Sequence, residues 1–478
     1  MKNQQKADAK NVRNLVHNMG NWLLQHQHHI RIIQWGVVVV YLTLIIVPVL
    51  LPLPDNAGHI WNNLTIFAQF IFWGIWWPFV LLSMVLVGRV WCGIFCPEGT
   101  LTEAVSRHGM GWSVPKWIKW PGWPFVAFCG TTIYGQMVSV YQYPGPVLVV
   151  LGGSTLAAIV IGFLYGRNKR VWCKYLCPVN GVFRLLAKLS PLHYRVDQNA
   201  WQESQNRGHV DIANAHFNCA PMVVVRQMQS ASECHMCGRC QGFRGAVTFS
   251  LRSPGSEITS AHAKQKTNLW DTVLILFGLM GLASMAFHWA SSAWYVSLKQ
   301  LFANFVFDTQ QLWIVTADIP WWILTNYPQH HDVMTLLDGV VMLCYLGVGT
   351  LLIGGTLFGG LLVTNKIIGS WSWGRLHHLA LTLIPLAGAG VFLGLFSLTT
   401  QLLKSEGINI PYLQAFRLII IGLGLIGSIY LGGKVINSLT PNFKQKLLSI
   451  MAFTITVFVA GGVWINSLWP KLLPMIFS

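Results

Sequence analysis

The sequence has 478 residues, of which 53% are hydrophobic and only 10% are charged, and it contains 23 tryptophans. This balance excludes an ordinary soluble domain, because apolar stretches of about 18 or more residues without charge are typical of membrane helices. The net charge of +17 does not indicate nucleic-acid binding, since many Lys and Arg residues lie in short loops beside apolar runs, where they set membrane orientation.

The chain begins with a basic polar arm, residues 1–32, that precedes the first apolar run at residues 33–51. The arm is too long for a secretory signal, so we expect the run to remain as a membrane anchor. The Lys and Arg residues before the run predict a cytoplasmic N-terminus. Residues 11–29 could lie on the membrane surface as a helix, with His26, His28 and His29 as interfacial polar side chains rather than metal ligands.

Four apolar runs make up the next segment, residues 33–189. They cover residues 33–51, 65–87, 124–140 and 147–165. Basic residues follow the second and fourth runs, so both runs should end on the cytoplasmic side. We therefore predict a four-helix membrane module built from two copies of a two-span unit.

Each of these two units ends in nearly the same phrase. Arg-Val-Trp-Cys occupies residues 89–92 and 170–173, and Cys-Pro follows four residues after the first cysteine. This spacing puts both sulfurs of a pair on one face of a helical turn, which the proline then ends. Four thiolates are the ligand count of a 4Fe–4S cluster. The four candidate ligands are Cys92, Cys96, Cys173 and Cys177.

Residues 190–267 form the one long polar segment and hold a second group of cysteines. A Cys-x2-Cys-x2-Cys run matches the start of a ferredoxin cluster motif, although the final Cys-Pro of that motif is missing. An earlier cysteine is the nearest fourth ligand, which predicts a small cytoplasmic ferredoxin-like segment. Its candidate ligands are Cys219, Cys234, Cys237 and Cys240. A structural zinc ion is the alternative, with His216 or His235 in reserve.

Residues 268–478 are predicted to form a five-helix membrane module. Its spans lie at about 272–289, 333–357, 379–395, 416–431 and 447–465, which makes nine in all and places the C-terminus in the periplasm. His330 and His331 are candidates for a second metal together with His288, against the alternative of ordinary interfacial histidines. Cys129 and Cys344 lie within spans, and we interpret them as buried apolar residues.

The doubled Trp-Cys-x3-Cys-Pro phrase, together with the ferredoxin-like run, resembles the membrane-bound polyferredoxins. That family includes the accessory quinol dehydrogenase of periplasmic nitrate reductase and the membrane regulator of nitrous oxide reductase. The chain is also similar to the iron–sulfur subunit of bacterial ferrous-iron uptake systems. The resemblance covers about residues 60–250 and implies an electron-transfer role in the bacterial cytoplasmic membrane.

The cysteine count favours two 4Fe–4S clusters, because eight of the ten cysteines remain once the two within spans are set aside. A cluster held by four cysteines has no open position for a substrate, so we expect an electron carrier rather than a stand-alone catalyst. The expected partners are the lipid bilayer, quinone or redox proteins, and periplasmic metal-uptake or reductase subunits. Two other functions stay open: a metal-ion reductase whose histidines bind the acceptor, and a transporter with a zinc-bound cytoplasmic regulatory segment.

Overall fold

The structure is a computed structural model that describes residues 2–55, 58–206, 217–228, 230–260, 268–287 and 289–469. Helices dominate these residues, and four short strands accompany them: β1 (Leu192–Val196), β2 (Val247–Leu251), β3 (Asn326–Tyr327) and β4 (Asp332–Val333). The helices are α1 (Lys2–Gln25), α2 (Gln27–Leu50), α3 (Leu64–Val87), α4 (Trp91–Phe95), α5 (Pro97–Ser106), α6 (Trp123–Met137), α7 (Pro144–Tyr165), α8 (Val171–Tyr175), α9 (Asn180–Leu186), α10 (Gln198–Asn206), α11 (Ser256–Thr259), α12 (Leu269–Ala286), α13 (Ala293–Asp308), α14 (Trp313–Thr316), α15 (Leu336–Ile368), α16 (Trp373–Leu381), α17 (Ile384–Ser405), α18 (Leu413–Leu439) and α19 (Phe443–Leu468).

Eight of the described helices are long and apolar enough to cross a membrane: α2, α3, α7, α12, α15, α17, α18 and α19. This confirms the prediction of an all-α integral membrane protein with several spans. Three of these helices contain a π-helical stretch, at Phe70–Trp76, Leu148–Gly152 and Leu274–Leu282.

The predicted span at residues 124–140 is the one that is missing from these eight. Helix α6 has only 15 residues, or about 22 Å, which is short of the roughly 30 Å hydrocarbon core of a bilayer. It ends early because the chain turns over residues 138–143, where Ser139 adopts a positive φ of 50°. By length the described chain therefore has eight candidate spans, and α6 is a further apolar helix that is shorter than these.

The predicted span at residues 379–395 is shifted along the chain. Helix α16 ends at Leu381, and α17 begins only at Ile384 with Pro385 in its first turn. Proline cannot donate a backbone hydrogen bond, so it interrupts a continuous helix but suits the start of a new one. The apolar run is thus divided, and its span continues to Ser405.

The chain forms two compact units. The first holds both cysteine phrases and the polar segment, and it consists of Met1–Thr43, Val80–Pro124 and Ser154–Ser260. Its polar segment is organised by β1 and β2, which pair antiparallel. Tyr194 and Phe249 face each other across this pair. Both pack in a hydrophobic core with Met236 of the cysteine run, so the two strands pack against that run.

The second unit is a bundle of helices that consists of Leu44–Phe79, Phe125–Gly153 and Ala261–Ser478. In it α15 packs along α12 and α19, while α18 packs along α17 and α19. Val341, Met342 and Leu346 on α15 are fully buried in this bundle. Among the described residues, the predicted histidine pair, His330 and His331, lies in this unit.

Candidate iron–sulfur centre

The first phrase folds as a short helical turn that stops at its second cysteine. Helix α4 is π-helical and carries the buried Cys92, and Cys96 leaves it with an extended ψ of 116°. Pro97 then begins α5, a position that suits proline because its missing N–H needs no partner there. The Cys96 sulfur accepts a hydrogen bond from the Gly99 N–H at 3.4 Å, so it also caps α5. The proline that was predicted to end one helix therefore begins the next.

The second phrase forms a similar helical turn, but its second cysteine does not begin the next helix. Helix α8 carries the buried Cys173, and Cys177 follows in a turn before α9. Asn180 Nδ2 donates to the carbonyl oxygen of Lys174 at 2.9 Å, and its Oδ1 accepts a hydrogen bond from Arg89 at 2.8 Å. Asn180 therefore ties the turn of the second phrase to the arginine that begins the first.

The cysteines of the two phrases lie close enough to influence one another electrostatically. We call them the repeat cysteines: Cys92, Cys96, Cys173 and Cys177. Burial raises the pKa of Cys173 to about 12; Arg170 opposes this shift and Cys92 adds to it. Burial also raises the pKa of Cys177 well above its ordinary value, and Glu98, Cys173 and Cys96 contribute. The structure thus brings the two predicted pairs together.

The cysteines of the polar segment line one cavity. We call them the segment cysteines: Cys219, Cys234, Cys237 and Cys240. Tyr194 and Met228 also contribute to the wall of this cavity. Burial raises the pKa of Cys234 to about 12, and the neighbouring Cys237 and Cys219 contribute to the same shift. Cys219 therefore lies with the other three, although it precedes them by at least 15 residues.

Hydrogen bonds hold the loop of Cys219 against the second phrase. The backbone N–H of Arg170 donates to the carbonyl oxygen of Ala220 at 2.7 Å. Lys174 Nζ donates to the carbonyl oxygen of Met222 at 2.8 Å. The fourth member of the segment cysteines is thus positioned by the phrase that carries two of the repeat cysteines.

Backbone contact joins the two sets of cysteines at Gly93, which lies between Cys92 and Cys96. A Cβ atom on Gly93 would lie 2.1 Å from the carbonyl oxygen of His235 and 3.1 Å from the amide nitrogen of Cys237. No side chain fits so close to a neighbouring backbone, so this position requires glycine. The cysteine run therefore rests directly on the turn that holds the first pair.

The ring of His235 is buried within the cysteine run. Its Nδ1 has no hydrogen-bond partner among the residues that the structure describes. Burial holds the pKa of His235 well below its ordinary value, and Arg89 and Arg170 add to this effect. His216, the other histidine of the zinc alternative, lies outside the described residues.

The histidine pair of the second unit lies on the β3–β4 hairpin. His330 and His331 are exposed, and the neighbouring Asp332 accepts a hydrogen bond from the Tyr143 hydroxyl at 2.8 Å. Their predicted companion, His288, lies outside the described residues. Within the ranges that the structure describes, no three His, Cys, Asp or Glu side chains gather around one metal-ion position. That finding concerns single ions, since the cysteines of a 4Fe–4S cluster bind different iron atoms.

Helix α1 packs on the cysteine run, a contact that the sequence did not reveal. A Cβ atom on Gly20 would lie 2.7 Å from Gln241 Oε1 and 2.7 Å from the Phe249 Cβ. One turn later, Leu23 lies against Gly238, which has a φ of +80°. The small and apolar face of this stretch therefore covers the polar segment, and the expectation that the stretch lies on the membrane surface stays a prediction.

Buried charges surround the two sets of cysteines. Arg89 and Arg170, which begin the two phrases, are only 3% and 2% exposed. Arg170 pairs with Glu103 at 2.7 Å, and Glu103 also pairs with Arg239 of the cysteine run at 2.6 Å. Burial alone would raise the pKa of Glu103, but Arg170 and Arg239 outweigh it and hold this pKa below its ordinary value. From the sequence, these arginines were expected to set the membrane orientation. The repetition of Arg-Val-Trp-Cys was the signal that could have indicated a role for both arginines beside the cysteines.

These residues suit anionic iron–sulfur clusters. Each set offers four thiols, and the segment cysteines enclose a cavity. Arg89 adds a buried positive charge whose Nε has no hydrogen-bond partner in the described chain. A group with four thiolate ligands would supply the negative charge that this guanidinium lacks.

Comparison with known proteins agrees with this chemistry. Residues 69–119 and 148–196 match the family described as a 4Fe–4S binding domain, and each match contains one phrase. The chain is 25% identical over 244 residues to the putative electron transport protein YccM of Escherichia coli, which covers 45% of this chain and 65% of YccM. These matches show that the two phrases are similar to a 4Fe–4S binding domain and that part of the chain is similar to a putative electron transport protein.

Two further relatives come from Methanocaldococcus jannaschii. The uncharacterized protein MJ0749 is 26% identical over 181 residues, or 34% of this chain and 65% of that protein. The uncharacterized protein MJ0750 is 24% identical over 189 residues, or 36% of this chain and 75% of that protein. The chain thus spans slightly less than two thirds of the length of YccM and MJ0749. No solved structure matches the chain. The similarity to a 4Fe–4S binding domain and to a putative electron transport protein supports iron–sulfur electron transfer.

Proposed function

We propose that the chain is a membrane-integral electron carrier with two 4Fe–4S clusters in adjacent sites. The repeat cysteines would hold one cluster and the segment cysteines the other. The observation that carries the proposal is the contact at Gly93, where the backbone of the cysteine run lies against the turn of the first pair. Because the backbones that carry the two sets are in contact there, single electrons would have a short route between the sites.

The residues around the cysteines bind the clusters and exclude water. A 4Fe–4S cluster supplies the ability to accept and release one electron at a time. Cys92, Cys173, Cys234 and Cys240 are buried, and so are Tyr194 and Met236 beside them. Because burial favours the neutral thiols, we expect the cysteines to lose their protons only when iron binds, so that loading of the sites releases protons.

We further propose that both sites lie on the inner face of the bacterial cytoplasmic membrane. Basic residues beside α3 and α7 support this orientation. Quinone in the bilayer or a redox protein would then exchange electrons with the sites, on behalf of a periplasmic reductase or an iron-uptake system. YccM is described as a putative electron transport protein, which favours the same general role here.

The proposal predicts the metal content of protein that is purified without oxygen. Two clusters require about eight iron and about eight acid-labile sulfide per chain, with a brown absorbance that a reductant bleaches. Iron and sulfide assays with a zinc measurement on the same sample test this directly. Stoichiometric zinc without sulfide would exclude the electron carrier and favour the zinc-bound alternative.

The packing of α1 on the cysteine run predicts a protective role for this helix. Replacing Gly20 with Leu should displace α1, because even a Cβ atom lies 2.7 Å from the Phe249 Cβ, and such overpacking costs about 1–3 kcal/mol. The segment site should then lose its absorbance faster in air. Gly36→Leu is the matched control, since a Cβ atom there has nothing within 4 Å. Equal bleaching rates in the two variants would show that α1 does not shield the site.

A further inference from the structure

The two arginines that begin the cysteine phrases occupy related positions with different surroundings. Both are buried, and both act on cysteines of each set. Arg170 acts electrostatically on Cys173 and Cys237, and Arg89 acts on Cys173 and Cys234. Each guanidinium is therefore close enough to interact electrostatically with both the repeat cysteines and the segment cysteines.

Arg170 is neutralised by a carboxylate. Its Nε and one terminal nitrogen both lie 2.7 Å from Glu103 Oε2, and its other terminal nitrogen donates to the carbonyl oxygen of Cys92 at 2.6 Å. The second oxygen of Glu103 accepts from Arg239 at 2.6 Å. One carboxylate thus connects the second phrase with the cysteine run.

Arg89 has polar contacts but no such carboxylate. It donates to the carbonyl oxygen of Ser232 at 3.0 Å and to Asn180 Oδ1 at 2.8 Å, and one nitrogen lies 3.7 Å from the sulfur of Cys92. No Asp or Glu of the described ranges forms an ion pair with it. A buried guanidinium without a counter-charge is costly, so an anion is expected beside it.

We propose that Arg89 is a shared counter-charge for both cluster sites and that Glu103 cancels the equivalent charge of Arg170. This inference rests on the proposed function, because the anions that Arg89 would balance are the four-thiolate clusters. An added electron makes a cluster more negative. Arg89 therefore stabilises the reduced state of both sites and raises both reduction potentials, whereas Glu103 lowers them. Arg89 acts as a positioning residue through its charge and binds no iron.

The test is a redox titration of the purified, cluster-loaded chain, followed by electron paramagnetic resonance. Dithionite supplies one electron to each cluster and is itself oxidised. Arg89→Gln keeps hydrogen-bonding groups but removes the charge, so both potentials should become more negative. Arg89→Lys keeps the charge, so its two reduction potentials should stay closer to those of the chain without substitutions. Glu103→Gln leaves Arg170 and Arg239 uncompensated, so both potentials should become more positive.

Asp338→Asn is the matched control. Asp338 is a buried carboxylate that pairs with Lys299 in the second unit, whose residue ranges contain none of the eight candidate cysteines. Its replacement should leave both potentials unchanged. Unchanged potentials in Arg89→Gln with full iron content would overturn the inference and leave the proposed function intact. If Arg89→Gln does not fold, a Glu103→Gln variant without a positive shift overturns it equally. If the purified chain without substitutions contained no iron, the proposed function itself would be refuted.

Discussion

Replacement of Cys96 with Ser is expected to remove about half of the iron and sulfide from the purified chain, because one of two four-thiolate sites loses a ligand. The remaining half belongs to the segment cysteines. The substitution is suited to this purpose because serine is a good helix cap, so it can still accept the Gly99 N–H at the start of α5. Lost iron would therefore report a lost ligand rather than a lost helix.

The matched control for this variant is Cys129→Ser. Cys129 lies on α6 in the second unit, apart from both sets in the sequence, and should not affect the iron content. A parallel variant, Cys219→Ser, should also remove about half of the iron, since Cys219 lines the cavity of the segment cysteines. Full iron content in both Cys96→Ser and Cys96→Ala would show that Cys96 is not a ligand.

Replacement of Gly93 with Ala is expected to disrupt both sites through a single methyl group. The new Cβ would lie 2.1 Å from the carbonyl oxygen of His235, and neither backbone can move without displacing a cysteine. Overpacking of this kind costs about 1–3 kcal/mol or more in folding free energy. The iron content should fall, and the brown absorbance should bleach at a lower temperature in a thermal scan.

Gly36→Ala is the control for this second prediction. Gly36 lies within α2, where a Cβ atom meets nothing within 4 Å and alanine is a better helix former than glycine. This variant should keep its iron and its thermal midpoint. A Gly93→Ala protein that matched Gly36→Ala in both measurements would contradict the close backbone contact between the two sets.

The cysteine sets were predictable because their information is local. The spacing of Cys92 and Cys96, and of Cys234 and Cys237, fits short turns that a sequence reveals directly. Cys219 was assigned only as the nearest remaining cysteine, and its place in the cavity depends on hydrogen bonds to the second phrase. Its role as a ligand stays a prediction, as do the roles of the other seven cysteines.

The buried charges were not predictable in the same way. Arg89 and Arg170 lie in basic stretches beside membrane helices, where positive charge normally sets orientation. Their burial depends on residues far along the chain, such as Ser232 and Ala220. Likewise β1 and β2 are separated by about fifty residues in the sequence, so their pairing and their packing against the cysteine run depend on tertiary contacts. An amphipathic α1 suits a membrane surface and a protein surface equally well, so its packing on β2 could not be predicted from the sequence.

The most direct test of the account is an experimental density map of the oxygen-free, cluster-loaded chain. We expect two cube-shaped densities, one bonded to Cys92, Cys96, Cys173 and Cys177 and the other to Cys219, Cys234, Cys237 and Cys240. The guanidinium of Arg89 should lie between them. A map in which the two pairs of repeat cysteines are separated, or in which the segment cysteines surround a single metal atom, would contradict it.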